Sequence, residues 1–140
     1  MNSKWLLSLL PVLLLAGCIG IDSKSSPKNT FTVDVSFEEV YRRAYAQAEY
    51  CWRTDTGYPL GGGINQAAKT SQVYVTGDLG GRLGQVDAIA RADQSSEVTI
   101  TVWGVGAWGP EALLAMKEVV QFGVPTCSSY MPKDSYQILK

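Results

Sequence analysis

Residues 36–53 carry the pattern of an amphipathic helix. Ser36 and Glu39 form a Ser-x-x-Glu capping box, which satisfies backbone N–H groups at the start of a helix. Behind the box, apolar side chains fall within an arc of about 120°: Phe37, Val40, Tyr41, Ala44, Ala48, Cys51 and Trp52. The opposite side carries acid–base pairs spaced i, i+4: Glu38–Arg42, Glu39–Arg43 and Glu49–Arg53. A helix with one apolar side needs a second layer to cover it.

Strand patterns supply that layer. Residues 30–35 alternate apolar and polar side chains, and so do three later segments, 71–76, 82–92 and 97–105. Short turn-forming stretches join the last three segments, which indicates that they are antiparallel neighbours.

A second helix follows the last strand. Pro110 stands at a favoured first position, and Gly123 with Pro125 ends the helix. Residues 54–70 are rich in glycine and predict a loop, with a helical turn at 64–69. The order strand, helix, three strands, helix predicts an α+β two-layer sandwich, in which an antiparallel four-stranded sheet has both helices on one face.

The first 17 residues have the composition of an export signal. Lys4 makes the start positive, and residues 5–14 form an apolar run far shorter than the ~20 residues of a spanning helix. Leu15-Ala16-Gly17-Cys18 resembles the lipobox of bacterial lipoproteins. The resemblance implies cleavage before Cys18, acyl chains on that cysteine and stable retention at a membrane. An ordinary cleaved signal followed by an incidental cysteine is the alternative interpretation.

The same resemblance sets the expected domain boundaries and location. Residues 1–17 are the signal peptide, residues 18–29 are the lipidated cysteine and a flexible tether, and residues 30–140 are a single α+β domain. Ile19, not aspartate, follows the cysteine, which by this resemblance favours the outer membrane with the domain facing the periplasm. In its order of elements, the mature part is similar to small outer-membrane lipoproteins of proteobacteria.

Two cysteines remain once Cys18 is assigned to lipid. Cys51 and Cys127 are an even pair in an oxidising compartment, which predicts a disulfide between them. The bridge would join the end of the first helix to the end of the second. Two separate buried thiols are the alternative.

Composition and motifs argue against several kinds of site. The chain has no histidine, so the commonest general base and metal ligand is absent, and its net charge of −1 does not attract nucleic acid. Residues 104–109 spell GxGxxG between a strand and a helix, but no second parallel strand follows to complete a dinucleotide-binding unit. Residues 63–70 approach a Walker A loop, but Ala68 stands where glycine is required. We therefore predict no enzymatic activity, no metal and no nucleotide or other cofactor.

The candidate functional surface is the sheet face that the helices leave open. Tyr74, Ile89, Trp103 and Val105 would project there, and Leu83 shares the alternation of Ile89. Aromatic residues are enriched in protein interfaces, so we interpret the chain as a non-enzymatic module that binds an envelope protein. Alternatively, the tether, the 54–70 loop or the C-terminal tail covers this face.

Two other functions remain open from the sequence. A small ligand or glycan would bind in an aromatic cleft that uses Trp52, Trp103 or Trp108. An inhibitor or immunity protein would present a glycine-rich loop to a hostile enzyme.

Overall fold

The computed structural model of the chain describes residues 19–53 and 57–127. The elements in these residues follow the order β1 (Lys28–Val33), α1 (Phe37–Gln47), β2 (Leu60–Asn65), β3 (Thr70–Thr76), β4 (Arg82–Ala90), β5 (Ser96–Val102) and α2 (Pro110–Phe122). A π-helical turn, Ala48–Trp52, continues α1, and a short 3-10 turn, Ala92–Gln94, precedes β5. The predicted α+β class is confirmed.

The sheet is open and antiparallel with five strands in the order β1-β5-β4-β3-β2, so the predicted count of four was wrong. The additional strand is β2, in a segment that the sequence predicts to be a loop and a helical turn. Three consecutive glycines at 61–63 give β2 little intrinsic strand preference. It is a strand because it pairs along its whole length with β3, from Leu60 opposite Val75 to Asn65 opposite Thr70.

One hydrophobic core cluster combines residues of the sheet and of both helices. Register pairs place Val73, Val86 and Ile100 side by side on β3, β4 and β5, and all three are buried. Both helices add residues to this same core cluster and contact each other. The helix residues are Phe37, Val40 and Ala44 from α1, and Ala112, Met116, Val119 and Val120 from α2.

The predicted helix ends are confirmed by their caps. The Ser36 hydroxyl accepts a hydrogen bond from the N–H of Glu39 at 3.3 Å, which satisfies one free donor of α1. Pro110 lies in the first turn of α2. Gly123 ends α2 at φ 78°, a left-handed conformation that glycine adopts without steric cost, and its N–H donates to the carbonyl oxygen of Val119.

Three residues spaced by four along the first helical segment are bonded to the end of α2 or to the chain that follows it: Arg43, Gln47 and Cys51. Arg43 Nη1 donates to the carbonyl oxygen of Val120 at 2.8 Å, and Gln47 is buried one turn further on. Cys51 follows in the π-helical turn and forms a disulfide with Cys127, which confirms the predicted bridge.

Residues 19–27, expected to be a flexible tether, lie against the ends of β4 and β5. The Ile21 N–H donates to the carbonyl oxygen of Arg82 at 2.7 Å, and the Pro27 carbonyl accepts from the N–H of Val102 at 3.0 Å. These are backbone bonds of the kind that joins strands, so this segment is part of the packed structure.

Candidate functional site

A groove of about 720 Å³ lies on the sheet face that points away from the core. Strand alternation creates this face, because Ser71, Val73 and Val75 are buried while Gln72 and Tyr74 between them are partly exposed. The glycines of β2 have no side chains, so the side of the groove that β2 forms is shallow. The lining includes Gly62, Ile64, Gln72, Tyr74, Asp87 and Ile89.

The Tyr74 ring is held at one end of the groove between a glycine and an arginine. Tyr74 pairs in register with Gly61, and a Cβ on that glycine would lie 2.4 Å from Tyr74 Cζ. The glycine therefore allows the ring to lie across β2. On its other side, the guanidinium carbon of Arg82 lies 3.9 Å from the ring centroid, a cation–π contact of about 0.5–1 kcal/mol at an exposed site.

A chain of side-chain hydrogen bonds continues from Arg82 along the groove. Arg82 Nη1 donates to Gln85 Oε1 at 2.5 Å, and Gln85 Nε2 donates to Asp87 Oδ2 at 2.6 Å. Gln72 Nε2 donates to the other carboxylate oxygen of Asp87, also at 2.6 Å. These bonds fix the orientation of two amides and a carboxylate on an open surface, next to the exposed apolar side chain of Ile89.

Of the four predicted surface residues, the structure brings two together in the groove. Tyr74 and Ile89 line the groove together. Trp103 is partly buried, packs against the core cluster and lines a small cavity of about 190 Å³ with Tyr58. Val105 is exposed in the loop that follows β5. The predicted surface is therefore not one continuous patch.

Leu83 lies at a position that alternation predicts to be exposed, yet it belongs to the core cluster. The pairing of β3 with β4 passes from Val75 opposite Gly84 to Thr76 opposite Arg82. Leu83 is therefore the extra residue of a β-bulge, which interrupts the alternation at the start of β4.

The tryptophans of the proposed ligand cleft do not form an open cleft. Trp52 is fully buried, Trp108 is buried beside it, and their ring centroids are 5.6 Å apart in edge-on contact. Both rings thus fill the core, and of the three candidates only Trp103 is partly exposed.

Sequence reasoning missed the polar residues of the groove, Gln72, Arg82 and Asp87. Strand alternation places Gln72 and Asp87 outward, but polar residues are ordinary at exposed strand positions and carry no further signal. Arg82 has the parity of the inward residues of β4, and it points outward only because of the bulge at Leu83. Their convergence depends on the register of β3 with β4, which places Gln72 opposite Asp87 and which the sequence does not specify.

The two nucleotide-like motifs are residues 63–70 and residues 104–109, and the structure shows the backbone of both. Residues 63–70 span the end of β2 and the turn into β3, with no helix after them, whereas a phosphate-binding loop leads into a helix. Residues 104–109 form a hydrogen-bonded turn, because the Gly104 N–H donates to the carbonyl oxygen of Trp108 at 2.7 Å. Within residues 19–53 and 57–127, no three cysteine or carboxylate groups cluster as metal ligands.

Comparisons with protein-family models and with curated proteins find no match to this chain. In the part of the chain that the structure describes, neither helix combines the length and the apolar character needed to cross a membrane.

Proposed function

We propose that this chain is an outer-membrane lipoprotein, anchored through acyl chains on Cys18, whose periplasmic domain binds an envelope protein without catalysing a reaction. The lipobox-like residues 15–18 support the anchor, and the groove on the sheet supports the binding role. The proposal includes no metal, nucleotide or nucleic acid.

The open sheet face is the proposed binding side, with both helices on the other. In support, α1 and α2 add residues to one core cluster together with the inward residues of β3, β4 and β5. The outward residues of β3 between Thr70 and Thr76 are partly exposed.

The Tyr74–Arg82 stack is the observation on which the proposal mainly rests. Tyrosine and arginine are the residue types that most often dominate binding energy in protein interfaces. Here the ring is held in place before binding, so little side-chain entropy is lost when a partner contacts it. Ile64 and Ile89 add exposed apolar surface to the groove.

The edge strand β2 offers a second kind of contact. In the described residues, β2 pairs with β3 on one side only. Free backbone groups of an edge strand can pair with an extended segment of a partner, while adjacent pockets receive its side chains. The groove beside β2 is placed to receive such side chains.

Photo-crosslinking in intact cells tests the binding side. A photoreactive amino acid replaces Ile89 in the groove, and a matched control replaces Leu114, which is similarly exposed on α2. We expect a discrete crosslinked partner from position 89 and none from position 114. Equal crosslinking at both positions, or none at position 89, contradicts the proposal.

A glycine pair then tests the role of Tyr74. Alanine at Gly61 must displace the Tyr74 ring, whereas alanine at Gly63 meets no atom within 4 Å. We expect Gly61→Ala to weaken the crosslink at position 89 more than Gly63→Ala, which adds a methyl group beside the groove without displacing Tyr74, with both variants folded. A crosslink that survives both substitutions removes Tyr74 from the contact.

Small-ligand or glycan binding is a second candidate, favoured by the size of the groove. Its volume of about 720 Å³ lies within the range of ligand pockets, about 300–1,000 Å³. An aromatic ring beside planar amides and a carboxylate suits a sugar. Titration with peptidoglycan fragments, followed by NMR shifts at Tyr74 and Gln72, distinguishes this function, because an envelope-protein contact predicts no shifts.

A further inference from the structure

The described chain contacts the folded domain from its first residues, Ile19 to Ile21. Gly20 is buried, and the Ile21 N–H donates to the carbonyl oxygen of Arg82 at 2.7 Å. Gly81 lies so close to Ile19 that a Cβ on this glycine would be 1.6 Å from the Ile19 carbonyl oxygen. Ile19 is the residue that follows Cys18 in the sequence.

Residues 22–26 form a turn that side-chain hydrogen bonds stabilise. The carboxylate of Asp22 accepts from the Lys24 N–H at 3.1 Å and from the Ser25 hydroxyl at 2.9 Å. The Ser26 hydroxyl accepts from the Asp22 N–H at 2.8 Å and lies 3.4 Å from the carbonyl oxygen of Trp103, to which it donates. The turn fastens the segment to the end of β5.

Exposed apolar side chains collect at this same end of the sheet. Ile19 is 44% exposed, and Leu79, at the tip of the turn from β3 to β4, is 74% exposed. Val105, in the loop after β5, is 52% exposed. Ile19 and Leu79 share a small cavity with Tyr58 and Trp103.

We propose that this end of the domain rests in the headgroup region of the bilayer that holds the acyl chains of Cys18. We call it the seating end and define it by Ile19, Leu79, Val105 and Trp103. This inference rests on the proposed lipid anchor. A bilayer is the occupant that the chain itself brings to the site, because the acylated residue adjoins Ile19. Partly exposed aromatic rings beside apolar residues are typical of membrane interfaces.

Contact of this end with the bilayer determines how far the groove lies from the membrane surface. Arg82 and the Tyr74 ring lie near the seating end, and Ile89 lies seven residues further along β4. At about 3.3 Å per residue, the groove extends to about 23 Å from Arg82 along β4. The partner is therefore a segment that lies next to the membrane surface.

A single fluorescent label in the lipidated protein tests the seating. With Cys51 and Cys127 joined and Cys18 acylated, Leu79→Cys introduces one free thiol for an environment-sensitive dye. Leu114→Cys on α2 is the matched control, and Val105→Cys is a second variant at the seating end. The proteins are reconstituted in phosphatidylethanolamine–phosphatidylglycerol vesicles, with and without lipids that carry a quencher at the headgroup.

We expect the dyes at positions 79 and 105 to shift to shorter wavelength and to be quenched several-fold more than the dye at position 114. Equal quenching at all three positions, or stronger quenching at position 114, overturns the seating. Mass spectrometry of the same protein separates the two proposals. Acyl chains on Cys18 without quenching leave the anchor intact and overturn only the seating, whereas a protein without acyl chains overturns both.

Discussion

The buried side-chain amide of Gln47 makes two hydrogen bonds to the backbone of Thr126. Its Nε2 donates to the Thr126 carbonyl oxygen at 2.6 Å, and its Oε1 accepts from the Thr126 N–H at 3.0 Å. Gln47 lies between Arg43, which binds the last carbonyls of α2, and Cys51, which is bonded to Cys127. Hydrogen bonds and a covalent bond along one helix side thus fix the chain that leaves α2.

Substitution of Gln47 by leucine should lower the free energy of unfolding by about 1–2 kcal/mol, because two hydrogen bonds are lost at a buried position. Gln121→Leu, on the partly exposed part of α2, is the control and should change it by less than about 0.5 kcal/mol. Urea unfolding followed by circular dichroism measures both. An unchanged midpoint for Gln47→Leu contradicts the structural role of this amide.

Loss of the disulfide should have the largest effect on stability. Cys51 and Cys127 are 76 residues apart, and opening a loop of that size should lower the free energy of unfolding by about 4 kcal/mol in the chain-entropy model. Thermal melting of the Cys51→Ala/Cys127→Ala variant against the oxidised protein measures the loss. A free-thiol assay on the denatured, unreduced protein should detect neither sulfur, and two reactive thiols would refute the bridge.

A methyl group at Gly84 should disturb the tryptophan pair in the core. A Cβ at this position would lie 2.7 Å from the ring of Trp52, which is fully buried against Trp108. We expect Gly84→Ala to lower the free energy of unfolding by about 1–3 kcal/mol, the usual cost of overpacking. Gly63→Ala, where the methyl group meets open space, is the control. The near-ultraviolet circular dichroism of the tryptophans should change only in the first variant.

The helix ends were predictable because each depends on local chemistry, whereas the disulfide was predicted from the number of cysteines. Ser36, Pro110 and Gly123 cap the helices through the conformation and hydrogen bonds of the nearby backbone. Cys51 and Cys127 were the two cysteines left after Cys18 was assigned to lipid, and the structure joins them. The groove was not predictable, because β2 has little local strand preference and is formed by pairing with β3.

Two single positions show why periodicity misleads. Leu83 departs from strand alternation because β4 has a bulge, which is a property of the pairing with β3. Gln47 is a polar residue among the buried positions of α1, and only the chain after α2 supplies its partners.

Acid should remove a small part of the stability through Glu39. Hydrogen bonds from Arg42 and then from Arg43 lower the pKa of this carboxyl from 4.5 to about 2. The folded pKa lies below the unfolded value, so this contribution is present above pH of about 4.5 and is lost as the pH falls toward 2. The carboxyl is partly exposed, so we expect less than about 1 kcal/mol.

The Glu39→Gln variant measures this contribution. It should be less stable than the wild type at pH 7, and the difference should vanish near pH 2. Glu49→Gln is the control, because the pair of Glu49 with Arg53 is exposed and its N–O distance is 4.0 Å. A difference for Glu39→Gln that is independent of pH would exclude the ion pairs as its cause.

Substitution of Trp103 should lower the free energy of unfolding more than substitution of Ile89. Trp103 packs against the core cluster, so Trp103→Ala should lower the free energy of unfolding by about 2 kcal/mol, less than a fully buried tryptophan would. Ile89 is 45% exposed, and Ile89→Ala should change it by less than about 0.5 kcal/mol. Differential scanning calorimetry compares them, and equal effects contradict these placements.

The bonds between residues 19–27 and the sheet decide where a shortened version of the protein should begin. A fragment that begins at Thr30 loses the Pro27 carbonyl that pairs with Val102 and the first two residues of β1, and it uncovers Gly81. A fragment that begins at Ile19 keeps all of these contacts. Purification tags therefore belong ahead of Ile19, where they leave these contacts intact.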